Sequence, residues 1–261
     1  MNIHTTGCVF SGMERNERNP QEKNKHIWIG EERFWMNPKM IVKTGVDIGM
    51  MVALMFSMTY EMIGQPLHEW LGIGMFLLFV IHHVLNRRWF GVLLKGKYTP
   101  FRIWQTILVV SVLLSMIGSM VSGAIISRSV LSFLPIHGGS SFGRKLHMLS
   151  AYWGFVLMSL HLGLHWNMML GAAGKAVKGT SKVRTCILRI AAVVAAVYGM
   201  YAFVKRDIGN YMLLKVHFVF FDYDEPLFFF LLDYIAVMGM FIFVGHYMAV
   251  FLRWYGRKKK A

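Results

Sequence analysis

The sequence predicts an all-α integral membrane protein, a six-helix transmembrane bundle. Its 261 residues are 56% hydrophobic and only 16% charged, and a water-soluble domain carries more charge than this. Apolar runs long enough to cross a lipid bilayer recur along the chain, separated by short blocks rich in Lys and Arg. Because backbone polar groups must be satisfied inside a bilayer, these runs are predicted to be helices.

The formal net charge of +15 raises the question of nucleic-acid binding, which requires a basic face. Here Lys and Arg lie in short blocks between apolar runs, so membrane topology explains the charge and no nucleic-acid partner is expected. Cys8 and Cys186 are far apart and belong to no CxxC or CxxCH motif. They predict no disulfide framework, zinc ribbon or covalent haem attachment.

Residues 1–38 are polar and lack a periodic apolar pattern, so a disordered cytoplasmic arm is expected. This arm also lacks the apolar core of a secretory signal peptide. Six spans are predicted near residues 39–62, 67–87, 103–126, 144–168, 184–204 and 228–252.

The distribution of basic residues predicts the orientation of these spans. The loops after the second and fourth spans and the C-terminus are rich in Lys and Arg, whereas the link from Ile63 to Pro66 has none. The positive-inside rule therefore places both termini in the cytoplasm, which agrees with an even number of spans. The second and fourth spans then run parallel, from outside to inside.

The second and fourth spans carry histidines at a matched spacing. His68 and His82 are fourteen residues apart, as are His147 and His161. Fourteen helical residues rise about 21 Å and rotate about 40° short of four turns, so each pair lies on one helix face. Because the spans are parallel, His68 is predicted to face His147 near the outer surface, and His82 to face His161 near the inner surface.

Two facing imidazole pairs predict two haem b cofactors, each iron bound by one histidine from each helix. With both axial positions filled, such sites suit electron transfer rather than oxygen binding. A single histidine in a span is usually a packing residue, but four at matched spacing are poorly explained by chance. We therefore predict a four-helix di-haem core at 39–170, followed by two additional spans and a basic C-terminus at 171–261.

Other residues are candidates for contacts with the haems. Gly72 and Gly154 lie on the histidine-bearing spans where macrocycles need room, although glycine also serves helix packing. Arg144, one turn before His147, is expected either to neutralise haem propionates or to anchor the helix at the interface.

Three further histidines are secondary candidates. His83 points about 100° away from His82 and is expected to pack or to meet propionates. His165 shares a face with His161, a geometry that zinc or copper could use, or it meets propionates or a redox partner. His137, in the loop SFLPIHGGSSFG, is a candidate for a quinone or partner site.

Carboxylates are weaker signals. Asp47 and Asp233 fall inside the first and sixth spans, where each is expected either to carry protons for a quinone or to pair with a polar neighbour. Glu61 and Glu69 lie near the outer rim and are expected to be solvated.

The motif HEWLG, with a second histidine fourteen residues on and then VLNRRW, resembles the bacterial flavinylation-associated cytochrome domain family. The run SRSVLSFLPIHGGSSFGRKLHMLSAYWGFVLMSLHLGLHW is similar to it too, so the resemblance covers about residues 36–170. It implies a b-type cytochrome of the bacterial cytoplasmic membrane that relays electrons from the cytoplasmic side or the quinone pool to extracytosolic flavin-bearing proteins. The family's ligand histidines fall on His68, His82, His147 and His161.

Three functions stay open at this point. The first is a di-haem electron-transfer subunit, and the second is a quinone-linked membrane oxidoreductase subunit. The third is a non-redox metal transporter that uses His161, His165 and Asp47. The sequence contains no nucleotide fingerprint, thiolate cluster or nucleophile–base pair, so other chemistry is expected to come from a partner protein.

Overall fold

A computed structural model describes residues 38–258 except 94, 136–137 and 177–181. The described residues form nine helices, and the bundle analysed below lies in the compact unit that begins at Gly45. The helices are α1 Pro38–Ser57, α2 Tyr60–Ile63, α3 Gln65–Leu85, α4 Arg88–Leu93, α5 Pro100–Ile126, α6 Ser140–Ala176, α7 Lys182–Lys205, α8 Ile208–Met212 and α9 Leu227–Lys258.

Within the described residues, five helices are long and apolar enough to cross a membrane, namely α1, α3, α5, α7 and α9. The protein is therefore a multi-pass membrane protein built from helices. The 37-residue helix α6, which contains the predicted fourth span, is not among the five. Polar residues such as Arg144, His147 and His161 lower its hydropathy. The sixth span stays a prediction.

The predicted first span, 39–62, is divided in the structure. Helix α1 ends at Ser57, and the single turn α2 follows before α3 begins. A turn at Met58 and Thr59 divides the span, and Gly64, whose φ of 79° favours glycine, separates α2 from α3. Pro66 then occupies the first turn of α3, where its missing N–H has no cost.

Helices α5, α6, α9 and α7 pack side by side in that order, with close backbone contacts between neighbours. Glycine permits this approach. A Cβ at Gly245 would lie 2.5 Å from the carbonyl oxygen of Leu160, and one at Gly163 would collide with the carbonyl of Ile242. Gly199 stands in the same relation to α9. The last two long helices are thus part of this tight half of the bundle.

The other half, α1 and α3, packs loosely. Helix α3 approaches the backbone of α5 only briefly, and Met75 alone among residues 65–85 is buried. A Cβ added at Gly72 or Gly74 would meet nothing within 4 Å. Methionine, which adapts to irregular gaps, is frequent among the buried residues here. The buried methionines of this half are Met50, Met55, Met58 and Met75, and Met116 of α5 and Met148 of α6 belong to the same cluster.

A cluster of ion pairs joins α7 to α9. The buried carboxylate of Asp233 accepts hydrogen bonds from Tyr198 Oη at 2.6 Å, Lys205 Nζ at 2.9 Å and Arg206 Nε at 2.8 Å. Arg206 also donates to both carboxylate oxygens of Glu225. Burial alone would lower the pKa of Arg206, but these hydrogen bonds outweigh it and raise that pKa. Of the two roles expected for Asp233, the structure shows pairing with polar neighbours.

The glycine contacts predict a position-specific effect on stability. Because the Leu160 backbone must move to admit a methyl group, Gly245→Ala is expected to lower the free energy of unfolding by about 1–3 kcal/mol. Gly239, in the same helix, has nothing within 4 Å of an added Cβ. Gly239→Ala should therefore leave stability unchanged or raise it through helix propensity, by up to about 1 kcal/mol. Thermal unfolding of the purified variants measures both, and an equal response would contradict the packing argument.

Candidate functional site

The His68–His147 pair meets between helices α3 and α6. The two ring centroids lie 5.9 Å apart and the ring planes make an angle of 77°. His147 Nδ1 lies 3.1 Å from the Ser119 carbonyl oxygen and 3.2 Å from Ser122 Oγ. A hydrogen bond to a carbonyl requires the proton on Nδ1, which leaves the Nε2 lone pair available to a metal. The predicted pairing of His68 with His147 is thus brought together in space.

His68 itself keeps an unsatisfied polar atom. Its Nδ1 is buried and has no hydrogen-bond partner. The ring also packs edge-on against Tyr60, with centroids 5.1 Å apart. An unpaired buried polar group costs about 1–3 kcal/mol, so this imidazole has capacity left for a ligand.

The second pair is held by a carboxylate. His82 Nδ1 lies 2.8 Å from Asp47 Oδ1, so that Nδ1 carries the proton and Nε2 is the acceptor nitrogen. Asn86 Nδ2 lies 3.4 Å from this Nε2. His82 and Asp47 both act electrostatically on His161, whose buried Nδ1 has no hydrogen-bond partner. The contact of Asp47 with His82 joins helices α1 and α3 at this level.

His165 extends the second pair along α6. Its ring centroid lies 5.0 Å from that of His161, and Asp47, Arg253 and His82 act on it electrostatically. Across the described part of the chain, no group of three or more His, Cys, Asp or Glu side chains converges closely enough to hold a metal ion. His68 and His147 are in ring contact, as are His161 and His165, and the pairing of His82 with His161 stays a prediction.

The structure also places the secondary candidates. His83 is a packing residue, because its Nδ1 bonds the Phe79 carbonyl at 2.8 Å and its ring centroid lies 4.2 Å from that of Phe79. Arg144 is exposed near the start of α6, one turn before His147. His137 lies outside the described residues.

The two candidate glycines have different surroundings. Gly72, one turn from His68, is exposed, and an added Cβ would meet nothing within 4 Å. A Cβ at Gly154, by contrast, would lie 3.6 Å from Ser115 Oγ of helix α5. Gly154 therefore faces the tight half, and helix packing accounts for it without a cofactor.

The geometry of the His68–His147 pair can be tested against an iron bound by two imidazoles. With each metal–nitrogen bond about 2 Å and each nitrogen about 1 Å from its ring centre, the centroids should lie about 6 Å apart. The observed separation is 5.9 Å. Two further observations support room for a ligand here. Nδ1 of His68 and Nδ1 of His161 have no hydrogen-bond partner, and helix α3 packs loosely. These residues fit a haem at this position.

Glu69 has a role that the sequence did not indicate. Its carboxylate accepts hydrogen bonds from Ser127 Oγ at 2.7 Å, from Gln65 Nε2 at 2.8 Å and from the backbone N–H groups of residues 128–130 at 2.7–3.1 Å. It thereby ties α3, next to His68, to the loop that follows α5. Beyond the expected solvation, the half-buried carboxylate supplies an acceptor to these N–H groups, which have no helical partners.

No protein-family model matches this chain, and comparison with curated proteins and with solved structures likewise gives no match. The protein is a multi-pass helical membrane protein with one histidine pair in direct ring contact and a second histidine cluster beside Asp47. The resemblance to the flavinylation-associated cytochrome domain stays a prediction.

Glu69→Gln is predicted to destabilise the region around His68. The amide loses the charge and turns an NH₂ group toward N–H donors, so the free energy of unfolding should fall by about 1–3 kcal/mol. Glu61→Gln is the matched control, since exposed Glu61 accepts one hydrogen bond, from Tyr223 Oη at 3.2 Å. Chemical or thermal unfolding of both variants measures the difference. Equal stability of the two variants would contradict the anchoring role of Glu69.

Proposed function

We propose that this chain is a b-type cytochrome that binds two haems and carries electrons across the membrane. His68 and His147 are the axial ligands of one haem, and His82 and His161 are those of the other. The observation that carries the proposal is the 5.9 Å separation of the His68 and His147 rings, on two helices whose backbones do not pack closely.

Each haem, when bound, supplies reversible one-electron transfer with both axial positions filled by the protein. The chain's own residues orient the ligands. The Ser119 carbonyl fixes the ring of His147, and the Asp47 carboxylate fixes the ring of His82. In both cases the proton sits on Nδ1, so Nε2 is the nitrogen that would bind the metal; at His82 this nitrogen also lies 3.4 Å from Asn86 Nδ2. Such fixed ligands suit electron transfer, because little has to rearrange on reduction.

The proposal includes helix α6 as a sixth span, parallel to α3. Both termini then lie in the cytoplasm by the positive-inside rule, the His82–His161 pair lies at the inner side and the His68–His147 pair at the outer side. The resemblance to the flavinylation-associated cytochrome domain supports a flavin-bearing redox partner outside the cytoplasm. Electrons then travel along the helix axis between the two sites.

A quinone-linked oxidoreductase is the second candidate. It is favoured by Asp47, whose side chain is 51% exposed beside His82 and acts electrostatically on His165. Proton exchange with a quinone requires such accessible polar groups at the membrane boundary. The two candidates differ in one observation, since only the second predicts that quinol reduces the haems of the isolated chain.

The proposal predicts how haem content depends on single ligands. The purified chain should show a reduced-minus-oxidised spectrum of b type with about two haems per chain. Removing one ligand of one pair, as in His82→Ala or His161→Ala, should lower the content to about one, because the other pair is untouched. Haem stoichiometry by extraction and optical spectroscopy measures this.

His83→Ala is the matched control, since His83 is adjacent to His82 but packs on Phe79. It should retain full haem content. A parent chain that purifies colourless, or a His82→Ala variant with as much haem as the parent, would overturn the proposal. A colourless chain that moves metal ions into vesicles would instead identify a metal transporter.

A further inference from the structure

The two histidine pairs differ in what holds their ligands. At the His68–His147 pair, His147 Nδ1 bonds neutral acceptors, the Ser119 carbonyl and the Ser122 hydroxyl. At the His82–His161 pair, His82 Nδ1 bonds the carboxylate of Asp47. His68 and His161 are alike, because Nδ1 of each is buried and unpartnered. Asn86 Nδ2 also lies 3.4 Å from His82 Nε2, but the Asp47 contact is the one that brings a charge to a proposed ligand.

We propose that Asp47 is a positioning residue that gives the His82–His161 site the lower reduction potential, so that electrons flow from this site to the His68–His147 site. This inference rests on the proposed di-haem function and adds a direction to it. With the orientation predicted by the basic loops, the direction is outward, from the cytoplasmic side to the extracytosolic side.

Two physical effects of the carboxylate act in the same sense. By accepting a hydrogen bond from the Nδ1–H group of His82, the carboxylate would make Nε2 a stronger electron donor to the metal, which would favour the oxidised iron. The negative charge of the carboxylate also favours the oxidised site, because the oxidised site carries one more positive charge than the reduced one. At the His68–His147 pair, the neutral Ser119 carbonyl accepts a weaker hydrogen bond from Nδ1–H and brings no charge.

Other charges near the two sites have to be weighed. Glu69 acts on His68, yet its carboxylate is engaged by the N–H groups of residues 128–130 and is directed into that loop. The positive charge of Arg253 acts electrostatically on His165, which lies one turn beyond His161. The Arg253 guanidinium also packs over the Phe101 ring, 4.2 Å from its centroid. Asp47 is the carboxylate that bonds a proposed ligand directly.

The electron balance is simple. A quinol or reduced flavin at the inner side loses one electron, which reduces the His82–His161 site. That site is reoxidised when it passes the electron to the His68–His147 site, and an oxidised flavin outside accepts it in turn. Two such transfers complete the oxidation of one two-electron donor, whose protons are released on the donor's side.

An equilibrium redox titration of the purified holoprotein tests the inference. The parent should show two one-electron waves, and Asp47→Asn should raise the lower wave while leaving the upper one in place. Because the Asp47 side chain is half exposed, solvent and salt partly screen its charge. We therefore expect the substitution to change the equilibrium constant for electron transfer between the two sites about tenfold, which is a potential shift of about 59 mV for one electron. Asp47→Glu should restore the lower potential.

The single-site variants His68→Ala and His82→Ala assign each wave to its site. Asp224→Asn is the control, because Asp224 is an exposed carboxylate in the connection before α9. A fully loaded Asp47→Asn protein with both waves unchanged would overturn the role of Asp47. So would a parent in which the His82–His161 site has the higher potential, a measurement that needs no Asp47 variant. Loss of the whole b-type spectrum in the parent would instead overturn the proposed function itself.

Discussion

The structure depends on one constraint, which is that two imidazoles on separate helices must face each other while their backbones stay apart. His68 and His147 meet at 5.9 Å, yet α3 and α6 do not pack closely. Such a gap is unfavourable in a bundle held by van der Waals contacts, so other groups must hold the helices in place. Glu69 does this at one end by binding the loop after α5, and Asp47 does it at the other by binding His82.

Different residue types fill the helix interfaces in the two halves of the bundle, glycine in one half and methionine in the other. Where helices touch through their backbones, as α6 and α9 do at Gly163 and Gly245, one conformation is strongly preferred, because a methyl group already collides. Where α1 and α3 approach the rest, methionines such as Met75 and Met116 fill the space, and their side chains can repack around a bound group. Rigidity and adaptability are thus assigned to different helices.

Helical periodicity placed His68 and His82 on one face, and the parallel orientation of the second and fourth spans then predicted that His68 faces His147. It could not predict Glu69, since that role depends on the path of a loop 58 residues away. Gly154 was ambiguous for a related reason, as a glycine opens a helix face equally to a cofactor and to a neighbouring helix. Helix α6 is less apolar than the other long helices because it contains polar residues such as His147 and His161, the proposed ligands.

The contrast between the two halves has a consequence for biogenesis. The glycine-lined interfaces of α5, α6, α7 and α9 need no prosthetic group to form. The amino-terminal hairpin α1–α3 is held mainly by methionine contacts and two carboxylates. If the proposed haems bind, this hairpin is the part of the bundle whose stability depends on them, and we expect proteases to cut the haem-free protein first in its first two long helices.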